Sequence, residues 1–259
     1  MNKSGAKEVP IVSTGSEKMR CTVMLSAKAD GKKLKPFVVL KRHRLLPHLE
    51  KKFPDIEIGY SDNGWMNASL TSDYLRRVIG AFSFKRRLLV WDAYRCHIMD
   101  SIKHLLTSMK IDSAVVPGGC TKFVQPADVS WNRSFKSKYN EKYDEWMATG
   151  AHECTASGRW RAPPLEEILK WIREAWFHVS DHQIQNSFLH CGISNATDGS
   201  EDNKIVSLRG DSTEEVKRLL GEILGGIGSD NCSLSTEEDP EQTEENEIVI
   251  DEDDEDETV

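Results

Sequence analysis

Apolar positions recur along this chain in two rhythms, and the switches between them lay out its elements. Residues 21–28 and 34–41 are rich in Val, Leu and Phe. They flank Ala29-Asp30-Gly31-Lys32, where Asp-Gly supplies the positive φ of a tight turn, so the pair predicts a β-hairpin. Residues 56–60 predict a further short strand and residues 9–12 a weak one. Leu70, Tyr74, Leu75, Val78 and Ile79 then recur at helical spacing and predict a helix with one buried face. Leu88-Leu89-Val90-Trp91 is an apolar run of the kind that fills a fully buried strand, and Ala114-Val115-Val116 is a second. Between them Ile102, Leu105, Leu106 and Met109 stand at i, i+3, i+4 and i+7. That is the pattern of an amphipathic crossover helix, with Asp100 as its N-cap.

The second half of the chain is helical in rhythm. A helix is predicted from Pro126, suited to a first helical position, to about Met147, with Trp131, Phe135, Tyr139 and Trp146 as its packing residues. A linker over 148–164 ends in Pro163-Pro164, after which Leu165, Ile168, Leu169, Ile172 and Trp176 predict another helix. Ile184 and Phe188 predict a shorter one. Ser212 and Glu215 suit a capping box for a last helix holding Val216, Leu219, Leu220 and Ile223, stopped by Gly225-Gly226. A hairpin, a short strand, a helix and then β-α-β-α fit an α/β domain with a mixed sheet.

Charge redraws this picture at one end. The whole chain of 259 residues carries a formal −8, yet residues 231–259 hold 14 acidic and no basic side chains, so the preceding body is +6. A segment of that composition has too little apolar surface to fold, and 229–259 is expected to be a disordered acidic tail. Residues 1–19 are polar and poorly defined, 20–148 form the core, and 149–228 form a helical C-terminal extension. The six cysteines show neither a CxxC nor the short Cys/His pairing of a zinc site, which reads as reduced thiols of an intracellular protein without structural zinc. No apolar stretch is long enough for a membrane span.

Candidate chemistry gathers between residues 87 and 130. Asp92 ends the first apolar run and Asp128 lies in the first turn of the helix that starts at Pro126, with 35 residues between them. That spacing fits a strand end, a crossover helix, a second strand and a loop. Carboxylates at two such ends can converge on a divalent cation. The helix N-terminus is expected to hold Asp128 ionised, with Asn132 one turn on along the same face. Arg133, Lys136, Lys138 and Lys142 form a basic face that reads either as solvated or as contacting nucleic-acid phosphates. Lys41, Arg42 and Arg44 read either as a solvated basic loop or as phosphate contacts.

These stretches, in order, resemble the DDE endonuclease domain of pogo and Tigger-type transposases of the mariner superfamily. The matching pieces are Cys21-Thr-Val-Met-Leu with Ala29-Asp-Gly-Lys, Gly64-Trp65-Met66, the strand ending in Asp92 followed by His97, and Gln125-Pro126-Ala127-Asp128 followed by Phe135-Lys136. Cys191-Gly192-Ile193-Ser194-Asn195-Ala196 and Asp198-Gly199-Ser200-Glu201-Asp202 resemble the close of that domain in vertebrate pogo-derived proteins. The resemblance implies an RNase H-like mixed sheet flanked by helices. It implies catalytic acids on the first strand, the fourth strand and the helix after the fifth, holding Mg²⁺ or Mn²⁺. Asp92 and Asp128 correspond to the second and third acids, and His97 to a histidine able to order the metal site.

The first acid of the family, usually in Asp-Glu-Thr, lies upstream of the segment corresponding to Ser13–Lys18, and Met1 comes too late for this sequence to include it. The expected fold therefore lacks its first strand, with an apolar slot left open beside residues 88–91. The expected protein is a nuclear, transposon-derived, DNA-binding or chromatin-associated one without nuclease activity. An active endonuclease whose first Asp comes from a longer product, and a fragment without function, are the alternatives. In the tail, Ile248-Val249-Ile250 followed by an acid run resembles a SUMO-interacting motif, in which a short strand adds to a sheet edge.

Overall fold

The computed structural model describes residues 20–80, 85–149, 162–205, 218 and 246–249. The hairpin forms as its sequence suggests. β1 (Arg20–Met24) and β2 (Phe37–Lys41) pair antiparallel with Cys21 opposite Leu40. The turn between them is wider than two residues, since the ladder resumes only at an Ala27–Lys33 bridge. Its tip is held by Lys32 N–H donating to Asp30 Oδ1 at 2.9 Å and by Gly31 at φ +93°. A Cβ on Gly31 would sit 2.9 Å from the Asp181 carbonyl oxygen, so both the turn and the close approach require glycine here.

A short helix, α1 (Pro47–Lys52), leads to β3 (Glu57–Ser61), which lies parallel to β2. α2 (Ala68–Tyr74), capped by Asn67 Oδ1 accepting from Leu70 N–H at 2.9 Å, continues as a π-helical turn to Gly80. β4 (Arg87–Asp92), α3 (Asp100–Ser108) and β5 (Ile111–Val116) form the parallel crossover unit. Met99 rather than Asp100 takes the N-cap position of α3, and Asp100 instead sits in the first turn, where it bonds Lys103. After a short turn, α4 (Thr121–Val124), the chain makes a π-helical turn over Ala127–Trp131 and runs straight into α5 (Asn132–Thr149). α6 (Leu165–His178), α7 (Asp181–His190) and a 3₁₀ turn at Asp202–Lys204 complete the helical part.

Alternation along β2 builds two layers of core, one on each face of its sheet. Val38 and Leu40 face Leu49, Phe135, Ile168, Ile172, Trp176 and Ile184. Phe37 and Val39 face the opposite way, toward Leu70, Leu75, Trp91, Ile102 and Ile111. Helices α6 and α7 thus pack into the same core as β2 and α5. Lys33 makes the same point, reaching from the hairpin to donate to the carbonyls of Phe177 and Val179 at the end of α6, at 3.0 and 2.6 Å.

The strands form two sheets, in the orders β3-β2-β1-β6 and β4-β5. β6 (Asn246–Val249) pairs antiparallel with β1, so four residues of the expected disordered tail are ordered as a strand. The rest of that tail, the weak strand at residues 9–12 and all of the predicted last helix except the helical Arg218 fall outside the described residues. β4 corrects another expectation. It is not fully buried, because Leu88 is 60 % exposed and among the described strands only β5 pairs with it. The cause is topological. With β5 its one partner among the described strands, only Trp91 of the apolar run is enclosed. Among the described residues no helix is long and apolar enough to cross a membrane, and none of the four described cysteines is in a disulfide.

Candidate metal and nucleic-acid site

A cavity of about 1550 Å³ opens between the end of β1 and β4. Asp92 and Asp128 both line it, as do Lys85, Lys122, Arg133 and Lys136. The two acids, 35 residues apart in sequence, meet because β4 and the turn before α5 end at the same rim.

Asp92 is held by its own strand's sequel. Its Oδ1 accepts the Tyr94 N–H at 3.0 Å and lies 2.7 Å from His97 Nδ1. His97 is fixed in turn by stacking on Trp91, with ring centroids 4.2 Å apart and planes 5° from parallel, and by the edge of Tyr94. Trp91 is anchored by its Nε1–H donating to Ser113 Oγ at 2.9 Å. His97 therefore orients one oxygen of Asp92 and leaves Oδ2 for a ligand. Its Nε2 is buried without a hydrogen-bond partner among the described residues. Burial pushes the Asp92 carboxyl up, but the hydrogen bond and charge of His97 and the Tyr94 amide together outweigh it and hold the group below its ordinary value.

Asp128 behaves the opposite way. Burial comes first, and the neighbouring charge of Asp92 adds to it, so the Asp128 carboxyl is raised despite hydrogen bonds from Asn132 and Thr121 and the charge of Lys136. Desolvation and a like charge thus outweigh the groups that favour the ionised form, the field of the helix N-terminus among them. Asn132 does take the predicted position, with Nδ2 donating to Asp128 Oδ1 at 2.7 Å. Cys191, after α7, is a neighbour that spacing does not reveal. Burial and the charge of Asp128 push its thiol up to about 12, so it stays protonated and is no thiolate ligand at neutral pH.

Two carboxylates with opposed shifts and a free oxygen on Asp92 suit a hard divalent cation that keeps several waters. Among the described residues no group of three or more His, Cys, Asp or Glu side chains is placed to hold a metal. Within those residues the candidate donors are this carboxylate pair.

The predicted basic residues divide. Arg133 and Lys136 line the cavity, whereas Lys138 and Lys142 pair along α5 with Glu141 and Glu145 at 2.6 and 2.9 Å and lie outside it. Lys41, Arg42 and Arg44 lie outside it as well, near the far end of β2. Lys85 and Lys122 complete the basic wall, and no sequence periodicity marks them. Arg87 also lines the cavity but is committed to the fold, donating to the carbonyls of Ile79 and Gly80 at 2.7 and 2.9 Å. Ile248 and Val249 of the SUMO-like motif lie in β6, while Ile250 is outside the described residues.

Residues 18–188 match the family described as DDE superfamily endonuclease. The chain belongs to that family. It is 31% identical over 226 residues to the mouse protein "Pogo transposable element with KRAB domain", an alignment covering 85% of this chain and 37% of that one. Its human counterpart is 32% identical over 207 residues, covering 78% and 34%. The human "Pogo transposable element with ZNF domain" is 27% identical over 255 residues, covering 94% and 17%. The chain thus spans about a third of the length of the first two relatives. No solved structure matches it significantly. As a DDE-family domain the chain has a mixed α/β fold consistent with an RNase H-like one, with the Asp92–Asp128 pair inside the matched segment.

The opposed shifts of the two acids give a checkable consequence for the metal-free protein. Asp92, held below its ordinary value, adds stability above the unfolded value of about 4, and that stability is lost as pH falls through its lower folded value. Asp128, held above, costs stability once ionised, and the cost vanishes as pH falls through its raised folded value. Asp128→Asn is therefore expected to raise the thermal midpoint at pH 7 in chelator, with the gap narrowing toward pH 4. A lower midpoint at pH 7 would show that Asp128 is held by bonds that outweigh its desolvation.

Proposed function

We propose that this chain is a pogo-derived DDE-domain protein that binds nucleic acid in the nucleus through the basic wall of its cavity, without nuclease or transposase activity. The observation that carries this reading is the convergence of Lys85, Lys122, Arg133 and Lys136 on one cavity with the Asp92–Asp128 pair. Cations of that number at one rim supply the sequence-independent attraction to phosphates that dominates nucleic-acid affinity. The fold is read as RNase H-like, a reading supported by the parallel β4-α3-β5 unit and by helices packed on both faces of the β1-β2-β3 sheet.

Cleavage by two ions needs ligands for both, one to activate the attacking oxygen and one to stabilise the leaving oxygen. Two carboxylates supply a site for one. Mg²⁺ or Mn²⁺ is accordingly a weak ligand here, with Asp92 Oδ2 and Asp128 as its donors and His97 holding the first in orientation. The KRAB and ZNF domains named for the two human relatives support a nuclear setting. SUMO is a proposed partner through Ile248, Val249 and Ile250, a run whose first two residues already take the strand form that such an interaction needs.

The test is supercoiled plasmid incubated with the chain in Mg²⁺ or Mn²⁺. Retention of plasmid in salt-sensitive complexes without nicking is expected. Nicking that disappears in both Asp92→Ala and Asp128→Ala would establish the enzyme instead, and absence of any complex at low salt would remove the binding role.

A further inference from the structure

The groove that opens beside β4 has a strand of this chain next to it. β6 lies on the edge of β1 remote from β2, with Asn246 opposite Val23 and Val249 opposite Arg20. Its direction follows from side-chain hydrogen bonds that link β1 and β4 to the segment between them in sequence. Thr22 Oγ1 donates to Gly64 O at 3.0 Å, two residues from Met66, whose carbonyl accepts from Tyr94 OH and Cys96 Sγ. Farther along the hairpin, Ser26 Oγ bonds Tyr74 OH at 2.6 Å, close in sequence to the Ile79 and Gly80 carbonyls that anchor Arg87. The start of β1 therefore lies toward the Asp92 end of β4, and the end of β1 toward Arg87. β1 and β4 run opposite ways. β6, antiparallel to β1, then runs with β4, from Asn246 at the Arg87 end to Val249 at the Asp92 end.

Two residues beyond Val249 begin seven consecutive acids, Asp251 through Glu257. An extended chain advances about 3.3–3.6 Å per residue, so the run starts within about 7 Å of the end of β6. The rim at that end carries Lys122, Arg133 and Lys136 beside the Asp92–Asp128 pair. Residues 231–259 carry 14 negative charges and the preceding body a net +6.

We propose that the acidic tail is an intramolecular occupant of this groove: β6 anchors it on β1, and the acid run beyond competes with nucleic acid for the basic wall. The inference rests on the nucleic-acid reading above. Neither part suffices alone. A four-residue strand is marginal by itself, and exposed carboxylates are screened beyond a Debye length of about 8 Å at physiological salt. Joined, they hold each other in place, and the β-branched Ile248 and Val249 lower the cost of ordering the strand. A tethered competitor acts at an effective concentration of about 1 mM. With a dissociation constant of order 0.1 mM it occupies about nine-tenths of the molecules and raises the apparent Kd for nucleic acid about tenfold.

The experiment uses three forms of the full chain: the natural sequence, Ile248→Pro, and a form with every acid from Asp251 to Glu257 changed to its amide. Ile248→Pro breaks the strand without altering charge, because proline cannot donate to the ladder. Anisotropy of a labelled 20-base-pair DNA duplex at low salt measures affinity, and hydrogen exchange measures protection of the amides of residues 20–23, with those of 38–40 as the control for folding. Ile248→Pro is expected to lose the protection at 20–23 and to bind DNA about tenfold tighter. The amidated form is expected to bind tighter by a similar factor. Unchanged DNA affinity in both variants, or unchanged exchange at 20–23 in Ile248→Pro, overturns the proposal. Lack of DNA binding by all three forms overturns the nucleic-acid reading itself, and the competition with it.

Discussion

Phe135→Ala is expected to destabilise the chain by about 3–5 kcal/mol, the cost of emptying a fully enclosed aromatic site. Phe135 is 0 % exposed and sits in the core layer that joins α5 to β2, α1 and the helices α6 and α7. Its loss leaves a void between Trp131 and Tyr139, the buried residues one turn before and after it. A domain has only about 5–15 kcal/mol in total, so the variant should be largely unfolded in mild denaturant. Urea unfolding followed by far-UV circular dichroism measures it. A midpoint near that of the natural chain would mean that α5 is not part of the cooperative core.

Charge reversal of the basic wall should have the next largest effect. Lys122→Glu, Arg133→Glu and Lys136→Glu together are expected to weaken DNA binding by about a hundredfold or more at low salt and to flatten its salt dependence, because each lost phosphate contact removes close to one unit of slope. The same reversal at Lys138 and Lys142, which are paired with Glu141 and Glu145, should have far less effect. Equal effects from the two sets would place the nucleic acid along the outer face of α5 instead of in the cavity. Fold effects are separated by thermal melting, since all five side chains lie on the surface or on the cavity wall and none is in the hydrophobic core.

The sequence carried the local information well. Asp-Gly between two apolar runs announces the hairpin, the 102–109 spacing announces α3, and Asp92 and Asp128 at the ends of their elements announce the pair that meets at the cavity. What stayed hidden was long-range. An apolar run such as 88–91 reads as buried whatever lies beside it, and the exposure of Leu88 follows only from the sheet order, in which β5 is its one partner among the described strands. The state of Asp128 depends on burial and on Asp92, neither visible in a helix N-terminal position alone. Lys85 and Lys122 carry no periodicity, and they matter because loops bring them to the same rim as α5. For β6 the strand character of Ile248-Val249 was legible as an edge-adding segment, but its partner was not, because β1 lies at the other end of the sequence.

Photo-crosslinking of bound duplex DNA followed by peptide mass spectrometry tests most directly whether the cavity is where nucleic acid sits. Crosslinks on the segments holding Lys85, Lys122 and Arg133–Lys136, diminished by the charge reversal, are the expected result. Crosslinks confined to residues 41–44, with the cavity segments unmodified in a chain that still binds DNA, would contradict it.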